Sequence, residues 1–419
     1  MPPERLPRDG WGRLAGAVWL GVLVAVTGLA LARPRTHSVY PIFAHAGRNW
    51  LAGTDLYGPP AGGLDPYRYS PLAAVLFAPF GLVPDWLGGV LWRWFGAGVY
   101  LAALAWWVRD VLPRRLSRAE RGILFLLVVP LSVGSLHNGQ SNVLVLGLVL
   151  AAVAGVAVER WWLAGACLAV ACLFKVYPVA LGLLLAAVYP RRFAGRWLVA
   201  IGLALALPFL CGQPGYVAGQ WARWVTSLWV DDDRQGWPAA QTYRDLRLLC
   251  RVWLVPLTAQ GYLAIQVAVG GGMAALCLAG RWAGWPRRRL LSLVLALGCC
   301  WMTVFGPATE SCTYILLAPS LAWALLESWG EPRRPWARAV RLTSYGLFVL
   351  AQAALWFPGG SEVGKYGLQP LAGLLVLASV LGVDADWMIR ERMCKPSTSA
   401  PGPRFLALTA WRTGDRRAG

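Results

Sequence analysis

Charged residues are scarce in this chain of 419 amino acids. They make up 14% of it, whereas hydrophobic residues make up 57% and the mean hydropathy is +0.51. A soluble domain carries about a quarter of its residues as charges. The 25 Trp and 47 Gly agree with this deficit, because Trp favours membrane interfaces and Gly permits close helix packing in lipid. The composition excludes a soluble globular protein and predicts an all-α, polytopic integral membrane protein.

Metal-ligand spacing is also missing. The nine Cys and three His form no CxxC or Cys/His pair, so we expect neither a metal site nor a bound cofactor. The net charge of +19 does not indicate nucleic acid, since the basic residues form short clusters between apolar runs. The positive-inside rule produces that arrangement, which also suits anionic lipid of the inner leaflet.

No convincing small-residue cleavage site follows the first apolar stretch, Leu14 to Ala32, so we expect a retained first helix. Runs that are apolar enough to cross a bilayer recur along the chain, and several are shorter than an ordinary span of about 20 residues. They lie at roughly 14–32, 87–108, 122–136, 143–158, 162–189, 197–211, 259–280, 290–306, 313–327, 342–357 and 368–383.

The Arg-rich stretches set the predicted topology. Placing them in the cytoplasm requires 162–189 to be a hairpin of two short helices that turns at Lys175–Pro178, and 71–82 to be re-entrant. The total is then twelve crossings, within a range of 11–13, with both termini inside. Alternatively, both segments cross once, which strands five Arg outside. Residues 1–393 are expected to form one transmembrane domain and 394–419 a disordered, basic cytoplasmic tail.

The predicted topology gathers the unusual polar residues on the extracytoplasmic side, beginning with the first loop. Residues 40–52 place Tyr40, Phe43, Ala44, Gly47, Trp50 and Leu51 near one helical face, which predicts an interfacial helix ended by Gly53. Asp55 and Tyr57 follow it, and Tyr69 lies just before the next apolar segment. Asp55 either acts on a sugar hydroxyl or caps a turn.

Two further segments are polar at membrane depth. His137, Asn138, Gln140 and Asn142 interrupt two apolar runs, where unpaired polar groups cost several kcal/mol, so a binding role and a plain turn are both open. Lys175 stands in CLFKVYPVALGLLL beside Tyr177, and a Lys inside an apolar run is a functional-site hypothesis. It either neutralises a phosphate or reaches the interface by snorkelling.

Weaker signals come from later loops. Glu310 in GPATES either pairs with Lys175 or acts on substrate. Gln241 and Arg244 belong to QTYRDLR, which forms either an anion-binding loop helix or a solvated face. The run Asp231–Asp233 lacks the context of a nucleotide-sugar metal motif, so we interpret it as part of a solvated loop.

The motifs VYPIFAHAGRNWLAGTDLY, YRYSPLAAVLFAPF, GQSN and AGACLAVACLFKVYP, in that order, resemble glycosyltransferase family 87, whose members are polyprenol-phosphate-mannose-dependent transferases. The resemblance covers roughly residues 15–315. It implies a GT-C membrane fold in the bacterial cytoplasmic membrane and an inverting hexosyltransferase with its active face extracytoplasmic. The implied partners are a polyprenyl-phosphate sugar donor, with mannose as one candidate sugar, and a lipid, glycan or protein acceptor.

One departure from the family concerns the catalytic base. Members usually carry an Asp just ahead of the first-loop helix, whereas residues 35–40 here read RTHSVY, without a carboxylate. Asp55 and Glu310 are therefore our catalytic candidates, and Asp65, His37 and His45 are further possible bases. The predicted substrate-binding residues are His37, His45, Tyr57, Tyr69, His137, Asn138, Gln140, Asn142, Lys175, Tyr177, Gln241 and Arg244.

Two other classes of function compete with transfer. A lipid or small-solute transporter, or flippase, usually shows paired halves with similar broken helices, and no such repeat is visible in the sequence. A catalytically silent relative would bind a lipid-linked sugar without turnover.

Overall fold

The computed structural model describes residues 10–34, 36–59, 63–230, 236–330 and 334–394. These residues are helices joined by turns, which confirms the predicted all-α class. Two earlier predictions concern residues outside this part of the chain: the acidic run Asp231–Asp233, and the tail beyond residue 394. The helices are α1 (Gly10–Ala32), α2 (Tyr40–Ala52), α3 (Pro71–Gly81), α4 (Asp85–Asp110), α5 (Arg118–Leu127), α6 (Val129–His137), α7 (Asn142–Ala157), α8 (Trp161–Phe174), α9 (Val179–Val188), α10 (Gly195–Ala206), α11 (Pro214–Val230), α12 (Leu246–Val252), α13 (Ala259–Trp282), α14 (Arg287–Cys300), α15 (Ala318–Gly330), α16 (Pro335–Ala354) and α17 (Leu368–Cys394).

The described helices are those of a polytopic membrane protein. Five stretches are long and apolar enough to cross a membrane: α1, α4, α13, the run Pro190–Leu210 that contains α10, and the run Arg287–Phe305 that contains α14. A sixth arises if α5 and α6, bent by 45°, form one broken span. Shorter apolar helices include α3, α7, α8 and α9. The total of twelve crossings stays a prediction. The chain divides into two compact units, Met1–Val380 and Leu381–Gly419, so the boundary falls inside α17.

Glycine allows the helices of the first unit to pack closely. A side chain at Gly147 of α7 would meet the Tyr100 backbone of α4 at 3.0 Å, and one at Gly165 of α8 would meet the Trp197 backbone of α10 at 3.2 Å. Small residues at such positions let helix backbones approach each other, the usual mode of helix packing in lipid. At these two positions glycine therefore has a local structural cause.

The predicted hairpin at Lys175–Pro178 is present. Helix α8 ends at Phe174 and α9 begins at Val179. Trp161 begins α8 and Tyr189 directly follows α9. Their rings lie 5.5 Å apart, so the two helices are antiparallel. In the turn, the Tyr177 hydroxyl donates to Oδ1 of Asn142 at 2.8 Å. Lys175 therefore lies at the same end of the bundle as the loop before α7.

The first-loop helix also forms where predicted. Helix α2 ends at Ala52, and Gly53 takes the left-handed conformation (φ 66°) that caps it. Its apolar face packs on protein: a side chain at Gly47 would meet the Phe77 carbonyl oxygen of α3 at 2.5 Å. This corrects part of the prediction. Leu51, which was placed on the same face, is 53% exposed.

Candidate functional site

A polar cavity of about 550 Å³ lies where the first loop, the α6–α7 turn, the loop before α12 and the turn before α15 meet. Its lining is rich in hydrogen-bonding groups, and it includes five of the predicted substrate-binding residues and one predicted catalytic residue. These six are His37, Asn138, Gln140, Gln241, Arg244 and Glu310. Asp65, Ser38 and Cys312 also line it. Segments from across the chain therefore form one polar site.

Glu310 is an acidic residue of this cavity whose carboxylate is held by several hydrogen bonds. Gln140 Nε2 donates to Glu310 Oε2 at 2.9 Å. The Glu310 side chain also accepts a hydrogen bond from the backbone N–H of Thr313. In return, the Thr313 hydroxyl accepts from the backbone N–H of Glu310 at 3.2 Å. This capping arrangement starts the 3₁₀ helix Ser311–Leu317. It fixes the carboxylate while leaving acceptor capacity on its oxygens, since an ionised carboxylate has about four acceptor sites.

Arg93 supports this site and was missed from the sequence. It lies in the first half of α4 and is buried, and its guanidinium donates to the carbonyl oxygens of Leu136 (3.0 Å), His137 (2.8 Å) and Gly89 (2.9 Å). It also donates to the Ser38 hydroxyl at 3.0 Å. A charge inside the apolar run 87–108 was the available signal, because such charges are costly unless partnered. Arg93 ties the first loop to the α6–α7 turn.

Arg244 contributes mainly through its backbone. Its N–H donates to the Thr309 carbonyl at 2.6 Å, and its carbonyl accepts from the Tyr314 hydroxyl at 2.6 Å. The guanidinium bonds its own loop, at the carbonyl oxygens of Ala239 (2.8 Å) and Ala240. The loop that holds Gln241 and Arg244 is thereby fastened beside Glu310. The next residue, Asp245, caps α12.

The two histidines at this end differ in position. His37 lines the cavity and has a left-handed backbone (φ 50°), whereas His137 is not among the cavity residues. The His137 ring lies 6.2 Å from His37 and 4.8 Å from Trp356. Asn138 accepts from the Val39 N–H at 2.9 Å, which joins the two segments.

Lys175 directly precedes Val176 and Tyr177, which line an apolar groove. Its Nζ is 5.6 Å from the centre of the Tyr69 ring and 6.0 Å from that of Tyr177, distances typical of cation–π contact. It also lies within electrostatic range of Glu310. Within the described part of the chain, its ammonium makes no hydrogen bond or ion pair. Lys175 is thus placed to bind an anion.

The groove of about 620 Å³ runs between α9 and α13. It begins at Tyr177 and Pro307, close in sequence to Lys175 and Glu310, and continues along the two helices. Its walls are almost wholly apolar: Val176, Val179, Ala180, Leu183, Leu184, Leu263, Val267, Gly270, Gly271, Met273, Ala274 and Trp301, with Gln266 as the polar exception. Leu183 and Val267 are 60% and 68% exposed, so the groove is open to the side.

Asp55, the other predicted catalytic residue, lies apart from the polar cavity. It forms an ion pair with Arg223 of α11 and accepts from the Tyr57 N–H at 3.1 Å. With His45 it lines a separate cavity of only about 40 Å³, which Asp65 also borders. The Tyr57 hydroxyl bonds the Tyr69 carbonyl at 2.7 Å. The observed role of Asp55 is to brace the first loop against α11.

Comparison with known proteins yields consistent matches. The family model of glycosyltransferase family 87 matches residues 67–307. The chain is 26% identical over 351 residues to the polyprenol-phosphate-mannose-dependent alpha-(1-2)-phosphatidylinositol pentamannoside mannosyltransferase of Mycolicibacterium smegmatis (strain ATCC 700084 / mc(2)155), which covers 78% of this chain and 77% of that protein. It is 28% identical over 344 residues to the protein of the same description from Mycobacterium tuberculosis (strain CDC 1551 / Oshkosh), with 75% and 72% covered.

Among solved structures, the chain is similar to ArnT from Cupriavidus metallidurans bound to undecaprenyl phosphate. The sequence identity is 17% and the TM-score 0.38, and the match covers 90% of this chain and 79% of that one.

Proposed function

Because the chain belongs to glycosyltransferase family 87 and is a membrane glycosyltransferase, we propose that it transfers mannose from polyprenyl-phosphate-mannose to a hydroxyl of an extracytoplasmic acceptor. The choice of donor rests on the names of the two mycobacterial relatives, which cover more than two thirds of the chain. The acceptor class, whether lipid, glycan or protein, stays open. The proposed location is the bacterial cytoplasmic membrane with the polar cavity outside.

The donor would occupy both cavities at once. Its polyprenyl chain would lie in the apolar groove between α9 and α13, where it would exchange contacts with lipid tails for contacts with similarly apolar side chains. Its phosphate would lie beside the unpaired ammonium of Lys175, and its sugar would enter the polar cavity that Glu310 lines. The site offers an apolar groove, a cation and a polar cavity. These three parts match a donor with an apolar tail, an anionic group and a hydroxylated head.

Glu310 would act as the base in an inverting displacement. The acceptor hydroxyl oxygen attacks the anomeric carbon, forming the new glycosidic bond as the carbon–oxygen bond to the phosphate breaks. The bonding electrons leave with the polyprenyl phosphate, whose negative charge Lys175 would stabilise, and the hydroxyl proton passes to Glu310. Gln140 would hold the carboxylate in position through its 2.9 Å hydrogen bond.

The observation that carries this proposal is that Glu310 lines the polar cavity and lies within electrostatic range of Lys175, whereas Asp55 is paired with Arg223 outside it. The test is transfer from radiolabelled polyprenyl-phosphate-mannose in proteoliposomes that contain a lipid extract as acceptor. Glu310→Gln should lower kcat by about 10²–10⁴-fold, the usual contribution of a general base.

The matched control is Asp55→Asn, which removes the other candidate carboxylate. It should retain most of the activity, and the reverse ranking of the two variants would place the base at Asp55. Absence of transfer by wild type, with the donor still bound, would identify a silent relative and contradict the proposal. Donor scrambling without product would favour the transporter class.

A further inference from the structure

A basic cavity lies at the opposite end of the bundle from the polar cavity. It has a volume of about 660 Å³ and is formed by α1, α4 and α5. Its lining comprises Gly12, Arg13, Ala15, Gly16, Trp19, Leu101, Arg118, Arg121, Gly122 and Phe125. Arg13 is 19 positions before Ala32, so about 28 Å of helix separates this cavity from the first loop. The transfer proposed above does not involve this cavity.

The cavity has a rigid inner wall. A side chain at Gly122 of α5 would meet the Trp11 carbonyl oxygen of α1 at 2.6 Å, so the two backbones are in direct contact. The Trp19 indole N–H donates to the Phe125 carbonyl at 2.9 Å and joins the same two helices one or two turns further on. The cavity is therefore a cleft beside two helices, α1 and α5, that pack directly against each other.

The lining of the cleft is positively charged. Arg13, Arg118 and Arg121 line it without an acidic residue among the lining groups. The nearby Glu120 is engaged elsewhere, since it accepts from Arg114 at 2.7 Å and from the Ser117 N–H at 2.8 Å. No hydrogen bond or ion pair to any described residue occupies the guanidinium of Arg13 or Arg121.

The remaining lining is apolar, and it continues into a lipid-facing surface. Ala15, Trp19, Leu101 and Phe125 form the rest of the wall. Leu20 of α1, beyond the cavity, is 57% exposed, as expected for a residue against acyl chains. A free anion would use only the arginines, whereas a phospholipid would use the arginines and the apolar wall together. Basic pockets between transmembrane helices bind anionic head groups in this way.

We propose that the cleft between α1 and α5 binds an anionic phospholipid, with the phosphate head group on Arg13 and Arg121 and an acyl chain against Trp19 and Phe125. The ligand belongs to the leaflet opposite the polar cavity. Under the predicted topology this is the inner leaflet, whose anionic lipids match the charge of the cleft.

The test is native mass spectrometry of the full-length protein, delipidated in detergent and titrated with phosphatidylglycerol, phosphatidylcholine or inorganic phosphate. Wild type should retain phosphatidylglycerol in preference to phosphatidylcholine. Each arginine near an anionic head group contributes about fivefold to affinity, so the variant Arg13→Gln/Arg121→Gln should bind phosphatidylglycerol about 25-fold more weakly. The control Arg115→Gln/Arg191→Gln removes two exposed arginines that do not line the cleft, and it should bind like wild type.

A second pair of variants tests the cleft without changing charge. A side chain at Gly16 meets no atom within 4 Å, and Gly16 lines the cleft, so Gly16→Leu should fill it and lower phosphatidylglycerol binding at least tenfold. Gly21 of α1 also has open space but does not line the cleft, so Gly21→Leu should have no effect. Equal binding by wild type and both cleft variants, equal binding of the two lipids, or displacement of the lipid by inorganic phosphate would overturn the proposal.

Discussion

Gln140 and Glu310 are 170 residues apart in the chain, and a 2.9 Å hydrogen bond from Nε2 to Oε2 joins them at the polar cavity. Hydrogen bonds to charged groups contribute about 1.5–3 kcal/mol. We therefore expect Gln140→Ala to lower kcat about tenfold or more, with a smaller change in donor KM. Steady-state transfer kinetics check this split. A rise in KM alone would instead assign Gln140 to substrate binding.

The ammonium of Lys175 should act on the donor phosphate. Lys175→Met removes the cation while keeping the apolar stem, and it should raise the donor KM roughly tenfold, the value of a lost hydrogen bond to a charged group. Lys175→Arg keeps the charge and should recover part of the affinity. Donor binding measured without acceptor provides the readout. Unchanged binding by Lys175→Met would place the phosphate elsewhere.

The apolar groove should select for the lipid chain. Gly271 lines the groove and has open space around it, so Gly271→Leu should occupy part of the space for the polyprenyl chain. Gly272, its neighbour in α13, has the same open space but does not line the groove, which makes Gly272→Leu the matched control. Only Gly271→Leu should raise KM for a long-chain donor, and a donor with a short lipid should be affected little. Equal effects of the two variants would contradict the placement of the chain.

Arg93 should be needed for the structure of the site. Removing it deletes four hydrogen bonds from a charged donor, and hydrogen bonds to charged groups contribute about 1.5–3 kcal/mol each. Arg93→Met should lower Tm by several degrees and reduce transfer, while the surface variant Arg115→Met should change neither. Arg93→Lys should fail to restore Tm, because an ammonium cannot donate in four fixed directions. Thermal unfolding in detergent measures the Tm of each variant. A wild-type Tm for Arg93→Met would contradict this role.

Asp245 should make stability depend on pH. It is 1% exposed, and burial raises the pKa of its carboxyl to about 6, even though the N–H groups of Arg247 and Leu248 bond its Oδ1. The folded protein therefore binds the proton more tightly than the unfolded chain, whose carboxyl has a pKa near 3.8. The contribution of Asp245 to stability is fully present below pH 4, and about 3 kcal/mol of it is lost as the pH rises through 6.

The variant Asp245→Asn should remove this pH dependence, because the amide does not titrate and still caps α12. Tm measured between pH 4 and 7 should fall for wild type relative to the variant over that interval. Parallel curves for the two proteins would show that Asp245 does not titrate there.

Much of the local structure followed from sequence signals that act over a few residues. Gly53 ends α2 because glycine takes a positive φ without strain. Lys175 and Pro178 interrupt the apolar run 162–189 and divide it into two short helices, α8 and α9. The membership of Glu310, Gln140 and Asn138 in one cavity also followed, since the charge bias placed their loops at one end of the membrane.

Partners that are distant in sequence could not be anticipated. Asp55 has the spacing of a surface carboxylate after a helix, and only the fold brings Arg223 to it from 168 residues away. Leu51 fits the apolar face of α2 by periodicity but is exposed, because α3 covers a narrower strip than the pattern suggests. The charge of Arg93 inside an apolar run was a signal, but its role could not be anticipated, because three of its four partners are backbone carbonyls, which no sequence pattern marks.

The sideways opening of the groove between α9 and α13 has a kinetic consequence. Under the proposed placement of the donor chain in this groove, the exposed Leu183 and Val267 let a lipid-linked donor enter from the bilayer without leaving it, so the enzyme would search for that substrate in two dimensions. The spent carrier can return along the same plane, while a glycosylated product departs from the polar cavity. Entry and exit of the two substrates then use separate routes, and neither product has to clear the site before the other can go.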